Sequence, residues 1–535
     1  MLESKFEVYL MLLGVLAVGA LVARRLNVAP AIVLLLAGIG LAYVPAVPEI
    51  ELPPELILLV VLPPLIYSAS VAMSWREFRA YLRTISLLAV GCVIFTTWAV
   101  AAACHYLVGL PWPVGFLLGA VVAPPDAVAP LAIARRLHLP RRIRVVLEGE
   151  GLANDATALT LYRFAVVAIS TGVFSLPQAA SSFGVIVAAE IAFGIGVGWI
   201  SLRLRRWSRD PQIELTLSLI TPYVAYWIPE HFGGSGVIAT VACGLYASWN
   251  GPLLISAATR LQGIFFWDLI VYLIEGLLFL LTGFEMRVLI EKSHLYPIQD
   301  VLGIIALVSV IVIVARFAWV FPAVYLPRAL SRKLATADPP PPWRHVFIIA
   351  FTGVRGAVSL AAALALPLTI SDGSLFPYRE LILFVAFGVI VVTMIGLGLT
   401  LPFVVKALGV AQSGMNEDRN ERAAEIAARR EALASALASL DAMTDDGELS
   451  DEVRKILRAR HEVRWNQLPS AFDDNGQASV VGTDIVRQLI ADERKFIHRL
   501  LREGRITDES RRRIERDLDL EEAGLANREY ARTPL

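Results

Sequence analysis

The stretch that decides the fold is Glu148-Gly-Glu-Gly-Leu-Ala-Asn154-Asp155-Ala-Thr-Ala-Leu-Thr-Leu-Tyr162. It places carboxylates and an amide inside an apolar segment that is long enough to cross a membrane. A charged side chain at the centre of a bilayer costs about 2.5 to 3.5 kcal/mol on insertion scales, so such residues are rarely there without a function. We therefore interpret this segment as part of an ion-handling site.

The composition supports a membrane protein. Apolar residues make up 56% of the 535 residues, charged residues only 18%, and the mean hydropathy is +0.62. The sequence has no P-loop, no H-E-x-x-H and no G-x-S-x-G, so it offers no nucleotide motif and no basis for hydrolysis. The three cysteines, Cys92, Cys104 and Cys243, fall in apolar segments and are interpreted as buried small hydrophobic residues. We predict no enzyme activity, no cofactor and no nucleic-acid partner.

Apolar segments of 16 or more residues recur along the first part of the chain, and about 20 residues cross the hydrocarbon core. They lie at residues 8–23, 28–45, 54–73, 84–109, 113–134, 145–172, 182–202, 212–229, 233–250, 264–284, 298–326, 345–367 and 379–405. The sequence thus predicts an all-α polytopic membrane protein with about thirteen transmembrane helices. An odd number places the two termini on opposite sides.

The distribution of basic residues predicts the orientation. One set of alternate loops holds 19 Lys and Arg, and the other set holds four. Because basic loops stay in the cytoplasm, the N-terminus is expected outside and the C-terminal tail inside. Residues 1–408 carry a net charge of +5 and residues 409–535 a net charge of −5.

The change of charge marks a predicted domain boundary. We expect a transmembrane domain at residues 1–408 and a cytoplasmic helical tail at 409–535. The tail shows helical patterns at Asn416–Met443, at Asp451–Trp465, and from Asp484 to the arginines at 511–513. These helices are interpreted as solvated, with a regulatory or self-association role as the alternative.

Two predicted spans are interrupted near their middles. The fifth contains Ala123-Pro-Pro-Asp126-Ala-Val-Ala-Pro130, and the twelfth contains Thr352-Gly-Val-Arg355-Gly-Ala-Val358. Proline removes backbone donors and clashes with the preceding turn, so the fifth helix should break and expose carbonyl groups. Paired interruptions in the two halves of a transporter are the best sequence indication of a substrate site.

The sixth span carries the central acidic residues. Glu150 and Asn154 are four residues apart and therefore share a helix face, with Asp155 one step around it. A lone carboxylate in a hydrated site of low dielectric constant binds either a proton or a hard cation, and not both. That competition is the requirement for antiport.

Further charged residues are buried in other predicted spans. Arg316 needs an acidic partner, for which Glu150 is the first choice; Arg355 is the runner-up partner of Glu150, or else contacts carbonyls at its own break. Glu190, beside a Gly194-x-Gly196-x-Gly198 stripe, is interpreted as structural. Glu275 is kept as a secondary candidate for the site.

Several motifs occur in the order and spacing of a known family. The segment from Glu150 to Tyr162 resembles the E-x-x-x-N-D-A signature of the sodium/proton exchanger family. The resemblance extends to Leu62-Pro-Pro-Leu-Ile-Tyr67, Trp75-Arg-Glu-Phe-Arg79, Gly276-Leu-Leu-Phe-Leu-Leu-Thr-Gly283 and Gly353-Val-Arg-Gly-Ala-Val-Ser359. It covers roughly residues 8 to 408 and does not include the tail.

The resemblance implies a thirteen-helix antiporter with inverted repeats, two crossed broken helices, a moving core and a homodimer. It implies that Asp155 is the ion- and proton-binding aspartate, with Asn154 and Asp126 beside it, and that Glu150 and Arg316 form a structural ion pair. It assigns Arg355 to the second broken helix. The Asn-Asp pairing implies electroneutral exchange of one proton for one cation.

Three positions depart from the family pattern. Pro125 stands where a threonine is frequent, Gly151 where many members have a serine, and Ser68 where a glutamate is frequent. With fewer oxygen ligands at the site, the identity of the cation is less constrained. Glu275, Ser68 and Thr157 are secondary candidates for ion ligands.

We therefore expect a secondary transporter in the cytoplasmic membrane, in contact with membrane lipid. It exchanges Na+ for H+ in pH and cation homeostasis, with K+ or Li+ as alternative cations. An ion channel and an organic-solute permease are the rival interpretations.

Overall fold

The computed structural model describes residues 2–26, 28, 30–44, 57–126, 130–131, 133–134, 137–171, 176–208, 210–234, 236–292, 297–370, 373–445, 451–466, 480–503, 505, 514–515 and 517–524. Residues 127–129 of the predicted fifth-span interruption and the arginines at 511–513 lie outside these ranges. The chain forms two compact units, Met1–Gly414 and Met415–Leu535.

The described part of the first unit consists mainly of helices. In chain order they are α1 Leu2–Leu26, α2 Pro30–Ala42, α3 Leu62–Ala72 after a π-helical turn Ile57–Val61, α4 Trp75–Val108, α5 Trp112–Val122, α6 Arg141–Thr171, α7 Leu176–Ser208, α8 Pro211–His231, α9 Val237–Leu254, α10 Ala257–Lys292, α11 Ile298–Leu330, α12 Arg332–Ala337, α13 Trp343–Phe351, α14 Ala357–Leu364 and α15 Arg379–Leu408. The described residues contain no strand, which confirms the all-α fold class.

Each of the thirteen predicted segments overlaps a helix. Seven helices among the described residues are long and apolar enough to cross a membrane by themselves: Trp75–Val108, Arg141–Thr171, Ile186–Ser208, Val237–Leu254, Ala258–Phe284, Ile298–Leu330 and Arg379–Leu408. Shorter apolar helices occur at Pro30–Ala42, Leu59–Ala72 and Trp112–Val122. The chain is therefore a multi-pass membrane protein, and the count of thirteen stays a prediction.

The edges of the eighth and ninth segments follow from local chemistry. The Asp210 carboxylate accepts hydrogen bonds from the backbone N–H groups of Gln212 and Ile213 at 2.9 and 3.1 Å, and so caps the start of α8. Pro222 and Pro229 lie inside α8 and do not end it. The chain turns instead at glycines 233 and 236, which have φ values of +84° and +65° that favour glycine.

The helices of the first unit pack as two bundles. Contacts are dense among α1–α3 and α7–α10, and again among α4–α6, α11 and α13–α15, but sparse between the two sets. We call them the flanking bundle and the site bundle. Each is assembled from separate stretches of chain, so the site bundle brings the sixth, eleventh and twelfth predicted spans together.

Two interruptions lie inside the site bundle. The first break, residues 123–126, follows α5, and the second break, residues 352–356, separates α13 from α14. Helical residues resume at 130–131 after the first break. Both interruptions that the prolines and glycines predicted are therefore present in the described part of the fold.

The second unit is helical and polar. Its helices are the part of α16 Ala411–Asp445 that follows Gly414, then α17 Asp451–Asn466 and α18 Val480–Arg502. Arg458 of α17 pairs with Asp441 of α16 at 2.9 Å, and Ile490 of α18 packs against Leu518. Most of their side chains are exposed, as expected for helices with little apolar surface.

Candidate functional site

The first break leaves carbonyl groups without helical donors. Pro124 and Pro125 have no N–H, so the turn that follows Val122 cannot continue as a helix. A carbonyl buried without a hydrogen bond costs about 1 to 3 kcal/mol. The chain leaves the helix after Val122, and the oxygens of residues 122–125 take their donors from side chains elsewhere in the fold.

Side chains from the second break, from α14 and from α6 supply those donors. Arg355 donates through Nε to the Val122 oxygen at 2.8 Å and through Nη2 to the Ala123 oxygen at 3.1 Å. Ser359 Oγ donates to the Pro124 oxygen at 3.5 Å, and Asn154 Nδ2 donates to the Pro125 oxygen at 2.8 Å. Four successive carbonyls are thus each bonded to a side chain, which holds the break open without helical geometry.

The two breaks also bind each other. The backbone N–H of Asp126 donates to the Val354 oxygen at 2.7 Å. Within the second break, the Arg355 N–H donates to Thr393 Oγ1 of α15 at 3.1 Å, and Arg355 Nη1 donates to the Gly353 oxygen. From the sequence, Arg355 was expected to pair with Glu150 or to bond carbonyls of its own break. In the structure its guanidinium joins its own break to the first one.

Glycine at 356 permits this close approach. A Cβ there would overlap the carboxylate of Asp126, and a Cβ at Gly353 would lie 2.6 Å from Cδ of Arg316. Both contacts would be closer than 3.0 Å, which real Cβ atoms essentially never show. The two glycines that flank Arg355 therefore make room for charged side chains from neighbouring segments.

Glu150 and Arg316 form a buried, two-point ion pair. Arg316 Nη1 lies 2.5 Å from Glu150 Oε1, and Nη2 lies 2.9 Å from Oε2. Each residue is 1% exposed. Arg316 also donates through Nε and Nη2 to the Ile349 oxygen near the end of α13, at 3.3 and 3.0 Å. The pair joins α6, α11 and α13, and Glu150 is the partner that the sequence favoured.

Acidic side chains gather beside the breaks. A small cavity is lined by Pro125, Asp126, Pro130, Leu147, Glu150, Gly151, Arg316 and Thr352. The charge of Asp126 is close enough to interact with the charges of both Asp155 and Glu275. Asp155 and Glu275 are partly buried, on α6 and α10 respectively. The structure thus brings Asp126, Asp155 and Glu275 into one neighbourhood at the boundary between the two bundles.

Asp155 differs from its neighbours in its lack of partners. Asn154 uses its amide nitrogen on the first break, and the Glu150 charge is neutralised by Arg316. Within the part of the chain that the structure describes, the Asp155 carboxylate has no hydrogen-bond or ion-pair partner. Among the described residues, the charged group identified as acting on Asp155 is the carboxylate of Asp126, another acid.

The other residues singled out from the sequence, Ser68, Thr157 and Glu190, bond or pack within the flanking bundle or within their own helices. The Ser68 hydroxyl donates to the Leu65 oxygen at 3.0 Å and the Thr157 hydroxyl to the Ala153 oxygen at 3.3 Å, each within its own helix. Glu190 is buried in α7, where a Cβ at Gly194 would overlap the backbone of Ala239 in α9. Hence the hydroxyls of Ser68 and Thr157 bond within their own helices. Gly194 and Gly198 of the glycine stripe allow close helix packing, whereas Gly196 has nothing within 4 Å.

Sequence reasoning missed some residues of the site. Ser359 and Thr393 were not singled out, although Ser359 ends the quoted motif of the second break. Their hydroxyls contact Pro124 and Arg355, which are distant in sequence. A serine or threonine in an apolar helix gives no signal of which distant backbone group it will bond.

Comparisons with known proteins identify the family of the chain. The family described as sodium/hydrogen exchanger, transmembrane, matches residues 12–407. An uncharacterized Na+/H+ exchanger of Mycobacterium tuberculosis is 33% identical over 525 residues, which is 96% of this chain and 95% of its own length. The sodium, potassium, lithium and rubidium/H+ antiporter of Bacillus subtilis is 32% identical over 409 residues, which is 74% of this chain and 61% of its own.

A solved structure shares the fold. The sodium proton antiporter MjNhaP1 from Methanocaldococcus jannaschii superposes with a TM-score of 0.56 at 17% identity, covering 76% of this chain and 99% of that chain. At this identity the likeness concerns the fold alone. The family match and the mycobacterial relative both cover most of the sequence, and the relatives are named as exchangers and antiporters. The chain therefore belongs to the sodium/hydrogen exchanger family, a family of transporters and not of enzymes.

Proposed function

We propose that this protein is a cation/proton antiporter that exchanges Na+ for H+ at Asp155. The observation that carries the proposal is the charge balance of the site. Glu150 is paired with Arg316, and Asn154 is bonded to the first break. Within the described residues, Asp155 has the acid Asp126 as a charged neighbour and no basic partner. The names of the relatives, which are exchangers and antiporters of Na+ and other monovalent cations, support the same activity.

The exchange follows from competition for one carboxylate. With a proton on Asp155 the group is neutral, and with the proton lost it is an anion that a monovalent cation can neutralise. Broken helices beside it supply partial charges at mid-membrane depth, as in other transporters built from discontinuous helices. Since proton and cation exclude each other at Asp155, each crossing carries one or the other.

We propose that the exchange is electroneutral. One proton on Asp155 is replaced by one monovalent cation, and the neighbouring Asn154 adds no charge. Na+ is the proposed cation, with K+ or Li+ as alternatives, because Pro125, Gly151 and Ser68 remove oxygen ligands that the family pattern supplies elsewhere. The printed activity of the Bacillus subtilis relative, which includes potassium and lithium, supports keeping these alternatives.

Alternating access requires the two bundles to move against each other. Asp155 and Asp126 belong to the site bundle and Glu275 to the flanking bundle, so the acids face each other across that boundary. Arg163 of α6 also crosses it, because its guanidinium pairs with Glu230 of α8 and donates to the Gly234 oxygen. A change of access must break these contacts, which makes Arg163 a marker of the motion.

Orientation and assembly complete the proposal. The excess of basic residues on one set of loops supports an outside N-terminus and a cytoplasmic tail. We assign the protein to the cytoplasmic membrane as a homodimer that serves pH and cation homeostasis. Its acidic tail is the candidate for regulation.

The test is dissipation of a pH gradient in proteoliposomes on addition of Na+, K+ or Li+. The native protein should respond to at least one cation, and Asp155→Asn should not, while its melting temperature stays unchanged. A native response that survives in Asp155→Asn would refute the mechanism. A cation-dependent current without proton movement would indicate a channel, and no response to any cation would favour a permease for an organic solute.

A further inference from the structure

Three arginines from different helices converge on one carboxylate at an end of the site bundle. Asp338 follows α12. Its Oδ2 lies 2.9 Å from Nη2 of Arg83 on α4 and 2.6 Å from Nη2 of Arg328 on α11. Its Oδ1 lies 3.0 Å from Nη2 of Arg142 on α6. The positive charges of Arg83 and Arg142 each repel that of Arg328.

The charges of this cluster do not balance. A guanidinium is always protonated in proteins, so three arginines and one carboxylate leave a surplus of two positive charges. Glu77, which is on the same helix as Arg83, is bonded to Arg141. Arg83 and Arg142 each bond Asp338 through Nη2, and within the described ranges neither guanidinium is bonded to a second acid. The cluster therefore has both charge and donor capacity for an additional anion.

The cluster is open to a ligand on one side. The side chain of Arg328 is 3% exposed and forms the floor, whereas those of Arg83 and Arg142 are 34% and 24% exposed. Guanidinium groups present parallel donors that match the oxygens of a phosphate group. A phosphate group bound over the buried Arg328 could accept hydrogen bonds from the partly exposed guanidinium groups of Arg83 and Arg142.

The surroundings favour a lipid as the source of the phosphate. Leu82, next to Arg83, is 44% exposed. Leu326 and Leu330, which lie at the same end of α11 as Arg328 but on its opposite face, are 55% and 79% exposed. In a multi-pass membrane protein, exposed leucines near helix ends face acyl chains. Basic pockets between transmembrane helices bind anionic head groups. We propose that the cluster of Arg83, Arg142, Arg328 and Asp338 binds the phosphate group of an anionic membrane lipid.

The test measures lipid binding without transport. Pyrene-labelled phosphatidylglycerol is titrated into the detergent-solubilised full chain, and energy transfer from its tryptophans reports binding. Labelled phosphatidylcholine serves as the zwitterionic control and should bind more weakly. Arg83→Gln and Arg142→Gln should each weaken binding of phosphatidylglycerol about fivefold, and the double variant about thirtyfold, from the usual contribution of one arginine near an anionic lipid.

Two further variants separate a built site from general attraction. Arg79→Gln removes the same charge from an exposed position of the same helix and should leave the affinity unchanged. Asp338→Asn removes the competing carboxylate and should tighten binding, an effect opposite to that of misfolding. Equal weakening by Arg79→Gln and Arg83→Gln would overturn the proposal. Displacement of the lipid by millimolar inorganic phosphate would assign the cluster to soluble phosphate and overturn the lipid assignment.

Discussion

Replacing Glu150 with alanine would leave the Arg316 guanidinium buried without its carboxylate. Both residues are 1% exposed, so water cannot take the place of the lost partner. Removing one member of a buried ion pair typically costs 3 to 5 kcal/mol. We expect Glu150→Ala to destabilise the protein by about that amount, and Arg316→Ala to do the same.

The charge-reversed double variant, Glu150→Arg with Arg316→Glu, tests the pairing itself. It restores opposite charges in the same place, but a glutamate at 316 cannot donate to the Ile349 oxygen, which Arg316 contacts at 3.0 and 3.3 Å. Loss of those bonds leaves a deficit of about 1 to 3 kcal/mol. The double variant should therefore be more stable than either reversal alone and less stable than the native protein.

Thermal melting of detergent-purified protein is the measurement, with an exposed pair as matched control. Arg141 Nε donates to Glu77 Oε1 at 2.5 Å, but their side chains are 47% and 25% exposed. Glu77→Ala should cost at most about 1 kcal/mol, as for surface ion pairs. Equal melting temperatures for Glu150→Ala and Glu77→Ala, or no recovery in the double reversal, would refute the reasoning.

Three other changes test the breaks and the motion. Gly356→Ala should abolish exchange because its Cβ overlaps the carboxylate in the first break, whereas Gly396→Ala, with nothing within 4 Å, should keep it; equal activity would contradict the packing. Asn154→Asp should lower the melting temperature, because a carboxylate cannot donate to the first break, and an unchanged melt would argue against that bond. In a background without native cysteines, a short thiol cross-linker that joins Arg163→Cys to Glu230→Cys should stop exchange reversibly. Undiminished transport would exclude motion between α6 and α8.

Much of the site could be predicted because charge is costly in a membrane. Arg316 required an acidic partner, and Glu150 lay on a helix face with other polar residues, so the pair was the favoured arrangement. The prolines at 124 and 125 and the glycines at 353 and 356 predicted both breaks, since they act through local backbone chemistry. These inferences need only the residue and its nearest neighbours along the chain.

Other contacts were beyond sequence reasoning because they depend on distant segments. Arg355 was expected to meet Glu150 or its own break, and nothing local indicated that it would bond the carbonyls of Val122 and Ala123. Ser68 was kept as a site candidate, yet its hydroxyl bonds to the Leu65 oxygen. A side chain with several possible acceptors chooses among them by position, and position is set by packing.

The sequence by itself determined that this is an all-helical membrane protein and where two of its apolar segments are interrupted. It also singled out the carboxylate that carries the exchange in our proposal. Hydropathy, proline chemistry and the cost of buried charge are properties of short segments, so they can be derived from the order of residues. Only the tertiary structure decided that four carbonyls of one break are bonded by Arg355, Ser359 and Asn154, and that three arginines share Asp338. Those arrangements join residues up to 255 positions apart, and only the packing of the helices brings such residues within bonding distance.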